Sequence, residues 1–302
     1  MNITALRRTW ITLSGTLVVA SIALTLIFSL NLGLDFLGGI RWTVAVNQLE
    51  TEIPVHRTEV ESFFAAQKDQ QGRLEKNVKI QSTETGEFLI TLENVKDDVL
   101  EAIKTDLNAQ YAVEEKSFRR VDPSLGASFK QKAFYAIIAA LIGIIIFVAW
   151  AFRKIPKSVS PWKFGAVAIA ALFHDIIIVL GVFTVLGAML NVELDLQFIT
   201  ALLATLGFSV NDTIVILDRV RENLQRQKGA ETFETIIEKS IQQTLRRSIN
   251  TSISTLLPLV GLLFFGADAI FFFVLALIIG ILIGTYSSIF LAAPLLAFWR
   301  KQ

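Results

Sequence analysis

Six long apolar segments constrain the fold of this chain more than any other feature of its sequence. A helix needs about 20 mostly apolar residues to cross the hydrocarbon core of a bilayer, and 53% of this chain is hydrophobic. Such a composition is typical of an α-helical polytopic membrane protein rather than a soluble domain. We predict six transmembrane helices at approximately Trp10–Leu30, Ala133–Phe152, Phe164–Leu190, Leu196–Leu217, Ser248–Phe265 and Ala269–Trp299.

The first apolar segment also follows two basic residues, Arg7 and Arg8, as the core of a signal peptide does. Its apolar run is longer than the roughly 7–15 residues usual for such a core, and no small-residue cleavage site follows it. We therefore expect a membrane span there.

Basic residues near the span ends predict the orientation of the chain. Lysine and arginine flank alternate connectors, whereas the connectors at 191–195 and 266–268 carry only acidic charges. Because basic connectors are retained in the cytoplasm, we expect both termini there. The predicted parts are a cytoplasmic N-terminus with the first span (1–31), an extracytoplasmic domain (32–131), and a transmembrane domain of five helices (132–302) with a cytoplasmic loop at 218–247.

The predicted external domain has the pattern of one small α+β unit. Period-two alternation predicts strands, and helical spacing of apolar residues predicts helices. The order β-α-β-β-α-β predicts a ferredoxin-like sandwich, a fold that does not itself indicate a function. Its predicted elements are Ile40–Val46, Arg57–Ala66, Val78–Ser82, Phe88–Leu92, Val95–Leu107 and Ala112–Arg120, with a turn at Glu84–Glu87.

The composition argues against several function classes. The chain has no cysteine, which excludes thiolate metal sites and disulfides. It has two histidines, His56 and His174, and a net charge of +1, so neither a histidine-rich metal site nor a nucleic-acid partner is expected.

Asp212 is the one charged residue of the fourth predicted span. A carboxylate near the bilayer centre costs roughly 2.5–3.5 kcal/mol, so it persists only where it faces protein or water. Thr205, Ser209 and Asp212 fall at i, i+4 and i+7, on one helical face. This polar stripe favours a functional carboxylate, and a hydrogen-bonded structural aspartate is the alternative.

The fifth predicted span carries a second polar stripe, formed by Arg247, Thr251, Ser254 and Thr255 on one helical face. Hydroxyl groups on one face can hold a chain of waters inside a helix bundle. A guanidinium close to Asp212 favours the carboxylate anion, whereas a dry environment favours the neutral acid. Movement of Arg247 toward or away from Asp212 would then cause the carboxyl group to release or bind a proton. The alternative is that Arg247 only follows the positive-inside rule.

Two further motifs contain an aspartate, one beside a histidine within a predicted span and one among glycines. His174 and Asp175 lie in the middle of the third predicted span and are expected to face the bundle interior, either as a structural hydrogen bond or, with Ser209, as an accessory proton path. The segment Gly33–Gly39 places three glycines around Asp35, which allows a tight turn after the first span.

The segment Glu231–Gln243 predicts an amphipathic helix at the cytoplasmic membrane face, with docking on a partner as the alternative.

These motifs together resemble the SecF family, accessory membrane subunits of the bacterial Sec protein-export machinery within the RND superfamily. Gly33–Gly39 resembles the family signature GIDFxGG, with Leu34 and Leu37 as departures. Residues 119–123 resemble the stretch that leads into the second span, with Asp122 where glycine is usual. Residues 209–223 are close to SVNDTIVxxDRxRE, the most specific signature, and residues 240–257 resemble SIxQTLxRxxNTSxxTLL.

The resemblance implies a proton relay of Asp212, Arg247 and Thr251. It also implies a SecD partner of six further spans, completing a pseudo-symmetric twelve-helix unit beside the SecY/SecE/SecG channel. Such a unit uses the proton-motive force to promote export of unfolded preproteins across the bacterial inner membrane. It catalyses no covalent reaction and uses no cofactor except the coupling ion, a proton or alternatively Na⁺. The matching motif residues are Asp35, Gly38, Gly39, Asn211, Asp218 and Arg219.

Two rival functions share some of these features. Half of an RND-type small-molecule exporter would share the fold and the buried aspartate, although such exporters usually carry twelve spans and two large external domains in one chain. A membrane scaffold would hold the Sec complex together without proton chemistry, and the polar stripe of the fifth span argues against it because small residues suffice for helix packing.

Overall fold

The computed structural model describes residues 3–49, 55–67, 78–82, 86–92, 95–153, 161–226 and 231–298. Two compact units share the chain: a helical unit of residues 1–31 with 134–302, and a sheet unit of residues 32–133. In chain order the elements are α1 (Arg7–Phe28), α2 (Leu34–Leu37), β1 (Gly39–Gln48), α3 (Arg57–Ala66), β2 (Val78–Ser82), β3 (Phe88–Leu92), α4 (Asp97–Gln110), β4 (Tyr111–Val121), α5 (Pro123–Ala151), α6 (Pro161–Leu190), α7 (Leu196–Arg226), α8 (Phe233–Phe265), a 3₁₀ turn (Asp268–Ile270), α9 (Phe271–Ser287), a π-helical turn (Ser288–Ala292) and α10 (Ala293–Phe298).

The predicted number of membrane spans agrees with the helices of the described residues. Six helical segments there are long and apolar enough to cross a membrane by length and composition: α1, α5, α6, α7, α8 and the run from Asp268 to Phe298. The last run changes from 3₁₀ to α and then to π geometry, so its length is taken up by more than one kind of helix.

The predicted cytoplasmic connection at 218–247, in which one helix was expected at Glu231–Gln243, is helical over most of its described residues. Helix α7 continues to Arg226, and α8 begins at Phe233. Ion pairs one turn apart support the charged end of α7, with Asp218 and Arg221 at 2.7 Å and Glu222 and Arg226 at 2.6 Å. The Thr232 hydroxyl accepts the Thr235 N–H and so caps the start of α8. Hydropathy predicts the apolar part of each helix but not the residue at which the helix ends.

The amphipathic start of α8 packs its apolar face within this chain. Its apolar side chains Phe233, Ile237 and Ile241 are buried in the core of the helical unit, together with Phe152 and Leu217. Because α7 extends beyond its apolar part, it offers this segment an apolar partner within the same chain, and its position at the cytoplasmic membrane face stays a prediction.

The sheet unit has the predicted ferredoxin-like topology. Its four strands are ordered β2-β3-β1-β4, and every neighbouring pair is antiparallel. The central Trp42 pairs with Ile90 on one side and Phe118 on the other. Apolar side chains of α3 and α4 cover one face, where Phe64 and Leu107 are fully buried with Trp42. The first half of the predicted turn, Glu84 and Thr85, lies outside the described residues.

The glycine-rich motif Gly33–Gly39 forms the short helix α2 and the entry into β1. Asp35 is buried, and Arg119 Nη2 donates to its Oδ1 at 2.8 Å. Gly39 pairs with Val121, so the motif joins the start of the first strand to the end of the last. The motif thus holds the two ends of the sheet unit together.

Replacing Gly38 by alanine is expected to destabilise the sheet unit. Gly38 has φ +73°, and a Cβ there would lie 2.6 Å from the Pro123 Cα. A left-handed alanine costs about 1–2 kcal/mol, and the overlap adds about 1–3 kcal/mol. Gly86→Ala is the matched control, because φ is +79° there but no atom lies within 4 Å. Pulse proteolysis of the full-length protein in urea measures both; equal loss would contradict a steric role for Gly38.

Candidate functional site

The predicted polar stripe of α7 lies on a buried face. Asp212 is 6% exposed, and Thr205, Ser209 and Thr213 are also buried. Between these polar residues α7 buries Ala201, Leu206 and Val210. The face is therefore apolar overall, and Asp212 is an ionisable group enclosed by helices of its own chain.

Ser288 is the hydrogen-bond partner of Asp212. The Ser288 hydroxyl forms a short hydrogen bond to Asp212 Oδ2, and Ser288 Oγ also lies 2.9 Å from the Thr285 carbonyl oxygen. A hydroxyl carries one hydrogen, so Ser288 can donate to an Asp212 anion. It can also accept from a protonated Asp212 while donating to Thr285. Ser288 begins the π-helical turn, a geometry that recurs at functional sites.

Asp175 forms a second buried acid site with His174. Both residues are 4% exposed, and His174 Nδ1 lies 2.9 Å from Asp175 Oδ1. Asp175 Oδ2 accepts the Ser287 hydroxyl at 2.9 Å and a short hydrogen bond from Ser209. Ser209 thus belongs to the same cluster as the third-span pair, as the sequence had suggested for an accessory path.

Close packing of α9 against α7 brings the two serines to the two acids. An added Cβ at Gly280 would lie 2.5 Å from Thr205 Cγ2, and one at Gly284 would lie 2.9 Å from Ser209 Cβ. Gly280, Gly284 and the serines that follow share one helical face. The absence of side chains at the two glycines therefore permits the approach that the hydrogen bonds require.

The second polar stripe is not buried within this chain. Arg247, Thr251 and Ser254 are exposed, and the Thr251 hydroxyl donates to the Arg247 carbonyl oxygen at 2.9 Å. The face of α8 that this chain buries carries Ser240, Thr244, Ser248 and Ser252 instead. Among the described residues, no hydrogen bond or ion pair joins Arg247 to Asp212, so the relay of these two groups stays a prediction.

The charged end of the α7 signature ties helices together. Arg219 forms a short ion pair with Glu222 and donates through Nε to Gln243 Oε1 at 2.7 Å. Arg221 donates to the Ala151 carbonyl oxygen at 3.1 Å and pairs with Asp218. These contacts connect α7 to α8 and α5. Asn211, which precedes the buried carboxylate, is exposed.

Sequence reasoning missed the segment Thr285–Ser288. Besides the two serines, its Tyr286 hydroxyl lies 3.0 Å from Ser14 Oγ, and its Thr285 hydroxyl lies 2.6 Å from Ser252 Oγ. Four consecutive residues with hydroxyl groups inside an apolar span were the signal, since polar groups in a bilayer need partners. The rule that singled out Asp212 would have found them.

The fold and these buried acids define a class: a multi-pass membrane protein with carboxyl groups enclosed between its spans. The family model described as "Protein export membrane protein SecD/SecF, C-terminal" matches residues 100–302. Protein translocase subunit SecF of Thermobaculum terrenum is 40% identical, across 96% of this chain and 91% of that relative. The corresponding subunit of Thermodesulfovibrio yellowstonii is 36% identical, across 100% and 96%.

The solved structure of SecDF, a translocon-associated membrane protein from Thermus thermophilus, has a TM-score of 0.81 and 28% identity. It covers 99% of this chain, which spans 38% of that longer chain. This likeness supports the predicted RND-type fold. The chain belongs to the SecF family of protein translocase subunits, as its motifs had predicted.

Proposed function

We propose that this protein, paired with SecD, is a Sec translocase subunit that uses the proton-motive force to promote preprotein export. The observation that carries the proposal is the buried Asp212, held by a Ser288 hydroxyl that can donate to the anion or accept from the acid. Such a group can exist in two protonation states without rearrangement of the fold. An ionisable residue inside a membrane span is by default a functional candidate.

The polar groups that the chain leaves exposed within its spans support a membrane partner. Asn211 of α7 and Arg247, Thr251 and Ser254 of α8 are exposed in this chain although they lie in or next to apolar spans. Lipid offers them no hydrogen-bond partner. In our proposal SecD covers this surface and brings an acidic group of its own to the relay of Asp212, Arg247 and Thr251.

Relatives that contain both subunits in one chain support SecD as the partner. SecDF of Bacillus subtilis is 33% identical across 100% of this chain, which spans 38% of that relative. The same proposal includes the SecY/SecE/SecG channel, unfolded preproteins and membrane lipid as further partners. The protein lies in the bacterial inner membrane with both termini cytoplasmic and residues 32–131 external.

A proton gradient tests the proposed function. The protein is reconstituted with SecD, the channel and an ATP-driven motor in vesicles, and export is followed after the ATP has been consumed. We expect export to continue only while a proton gradient is present, and to stop when a protonophore collapses it. Vesicles without this chain should show no such dependence. Export that does not depend on the proton gradient would favour the scaffold function. Export that is driven by a sodium gradient instead would identify Na⁺ as the coupling ion.

A further inference from the structure

The pair of His174 and Asp175 has the geometry of a proton-binding site separate from Asp212. Nδ1 of His174 lies 2.9 Å from Asp175 Oδ1, so one hydrogen must lie between these two atoms. Two hydroxyls, of Ser209 and Ser287, donate to the other carboxylate oxygen. This pattern fits an ionised Asp175 that faces an N–H on Nδ1.

The second ring nitrogen of His174 is available for another proton. Nε2 is buried and has no hydrogen-bond partner among the described residues. With the ring neutral, the pair carries one negative charge in a nearly dry setting, and such a charge is costly unless it is compensated. A proton on Nε2 would convert the pair into a neutral imidazolium–carboxylate. The pair therefore has two states that differ by one proton.

The groups around the pair come from three helices. Helix α9 contributes Tyr286, whose ring centroid lies 6.1 Å from that of His174. Helix α7 contributes Ser209 and, one turn further along, Asp212. Helix α1 contributes Ser14, which bonds the Tyr286 hydroxyl. Among these described groups the other acid is Asp212, which is bonded by Ser288, the residue directly after Ser287.

Consecutive serines link the two acid sites. Ser287 donates to Asp175, and Ser288 donates to Asp212. Each hydroxyl also lies close to a backbone carbonyl three residues earlier, that of Gly284 at 3.1 Å and that of Thr285 at 2.9 Å. Each hydroxyl has two acceptors within reach, so a change in the protonation of one acid would reorient its serine, and the two serines are neighbours on a single turn. Energetic coupling between sites needs such a shared element with two arrangements.

We propose that His174 and Asp175 bind a second proton, and that its binding is coupled to the protonation of Asp212 through Ser287 and Ser288. This inference rests on the proposed function, because two coupled proton-binding sites can be protonated one after the other during one export cycle. Proton binding itself can be measured without export, so the two proposals can fail separately.

Nuclear magnetic resonance of labelled histidine tests the second site directly. The chain has two histidines, and His56 is exposed in the sheet unit. His56→Gln therefore leaves His174 as the single histidine. The full-length variant is labelled with nitrogen-15 histidine, paired with unlabelled SecD in lipid bilayers, and titrated over about pH 5–9, the range around the ordinary histidine transition. We expect the Nε2 signal of His174 to change from a bare to a protonated nitrogen.

Coupling is tested by adding Asp212→Asn to the same background. We expect the titration midpoint of His174 to shift, and Ser287→Ala to remove most of that shift. Ser240→Ala is the matched control, because Ser240 is fully buried but bonds the Ile236 carbonyl instead of an acid; it should leave the shift intact. A His174 signal that is constant with pH, or that titrates identically with and without Asp212→Asn, overturns the proposal.

Discussion

Asp212→Asn is expected to remove the proton-dependent part of preprotein export while the protein still assembles with SecD. Asparagine has nearly the same shape and can still accept the Ser288 hydroxyl, so the packing around α7 should persist. It cannot take up or release a proton. Moving one elementary charge across 100 mV supplies about 2.3 kcal/mol. Loss of that coupling lowers a rate limited by it about 50-fold.

Export in cells that lack their own SecF measures this effect, with the wild-type chain or the variant supplied in its place. Asp268→Asn is the matched control, since Asp268 is an exposed aspartate in the short turn before α9. It should export at the wild-type rate. If Asp212→Asn co-purifies with SecD and exports as well as the wild type, Asp212 is structural and the scaffold function is favoured.

Gly280→Ala is expected to destabilise the helical unit and to weaken the hydrogen bond between Ser288 and Asp212. The new Cβ would lie 2.5 Å from Thr205 Cγ2 and 2.7 Å from Thr205 Cβ, so α9 would have to move away from α7. Overpacking of this kind costs about 1–3 kcal/mol. Because Ser287 and Ser288 follow on the same face, the displacement would reach both acid sites.

Gly261→Ala provides the contrast for this substitution. Gly261 lies in α8 with no atom within 4 Å of an added Cβ, and alanine normally favours a helix by roughly 1 kcal/mol over glycine. It should therefore be neutral or stabilising, opposite in sign to Gly280→Ala. Thermal unfolding of the purified SecD complex measures both, and export shows whether the acid sites are affected. Equal stability of the two variants would mean that α9 accommodates the methyl group without moving.

The sheet unit shows how far local patterns determined the fold. Three of its elements, Arg57–Ala66, Val78–Ser82 and Phe88–Leu92, begin and end where alternation and helical spacing predicted. In a two-layer fold each strand and helix buries one face, so the period of the apolar residues reports both the element and its orientation. Helix ends beyond the apolar spans were less predictable. The continuation of α7 to Arg226 depends on ion pairs and on α8, which hydropathy does not measure.

For the two acid sites, too, one property was predictable from the sequence and another was not. The sequence by itself determined that Asp212, His174 and Asp175 must be enclosed, because a bilayer penalises any ionisable group that faces lipid. Which partners enclose them was decided by tertiary structure. Ser288 reaches Asp212 from 76 residues away, and it does so because two glycines let α9 approach α7. The stripe of Arg247 and Thr251 has a regular helical period, but a period fixes only which residues share a face. The packing of α8 turned that face away from the core of this chain, since the serine face beside it packs more closely.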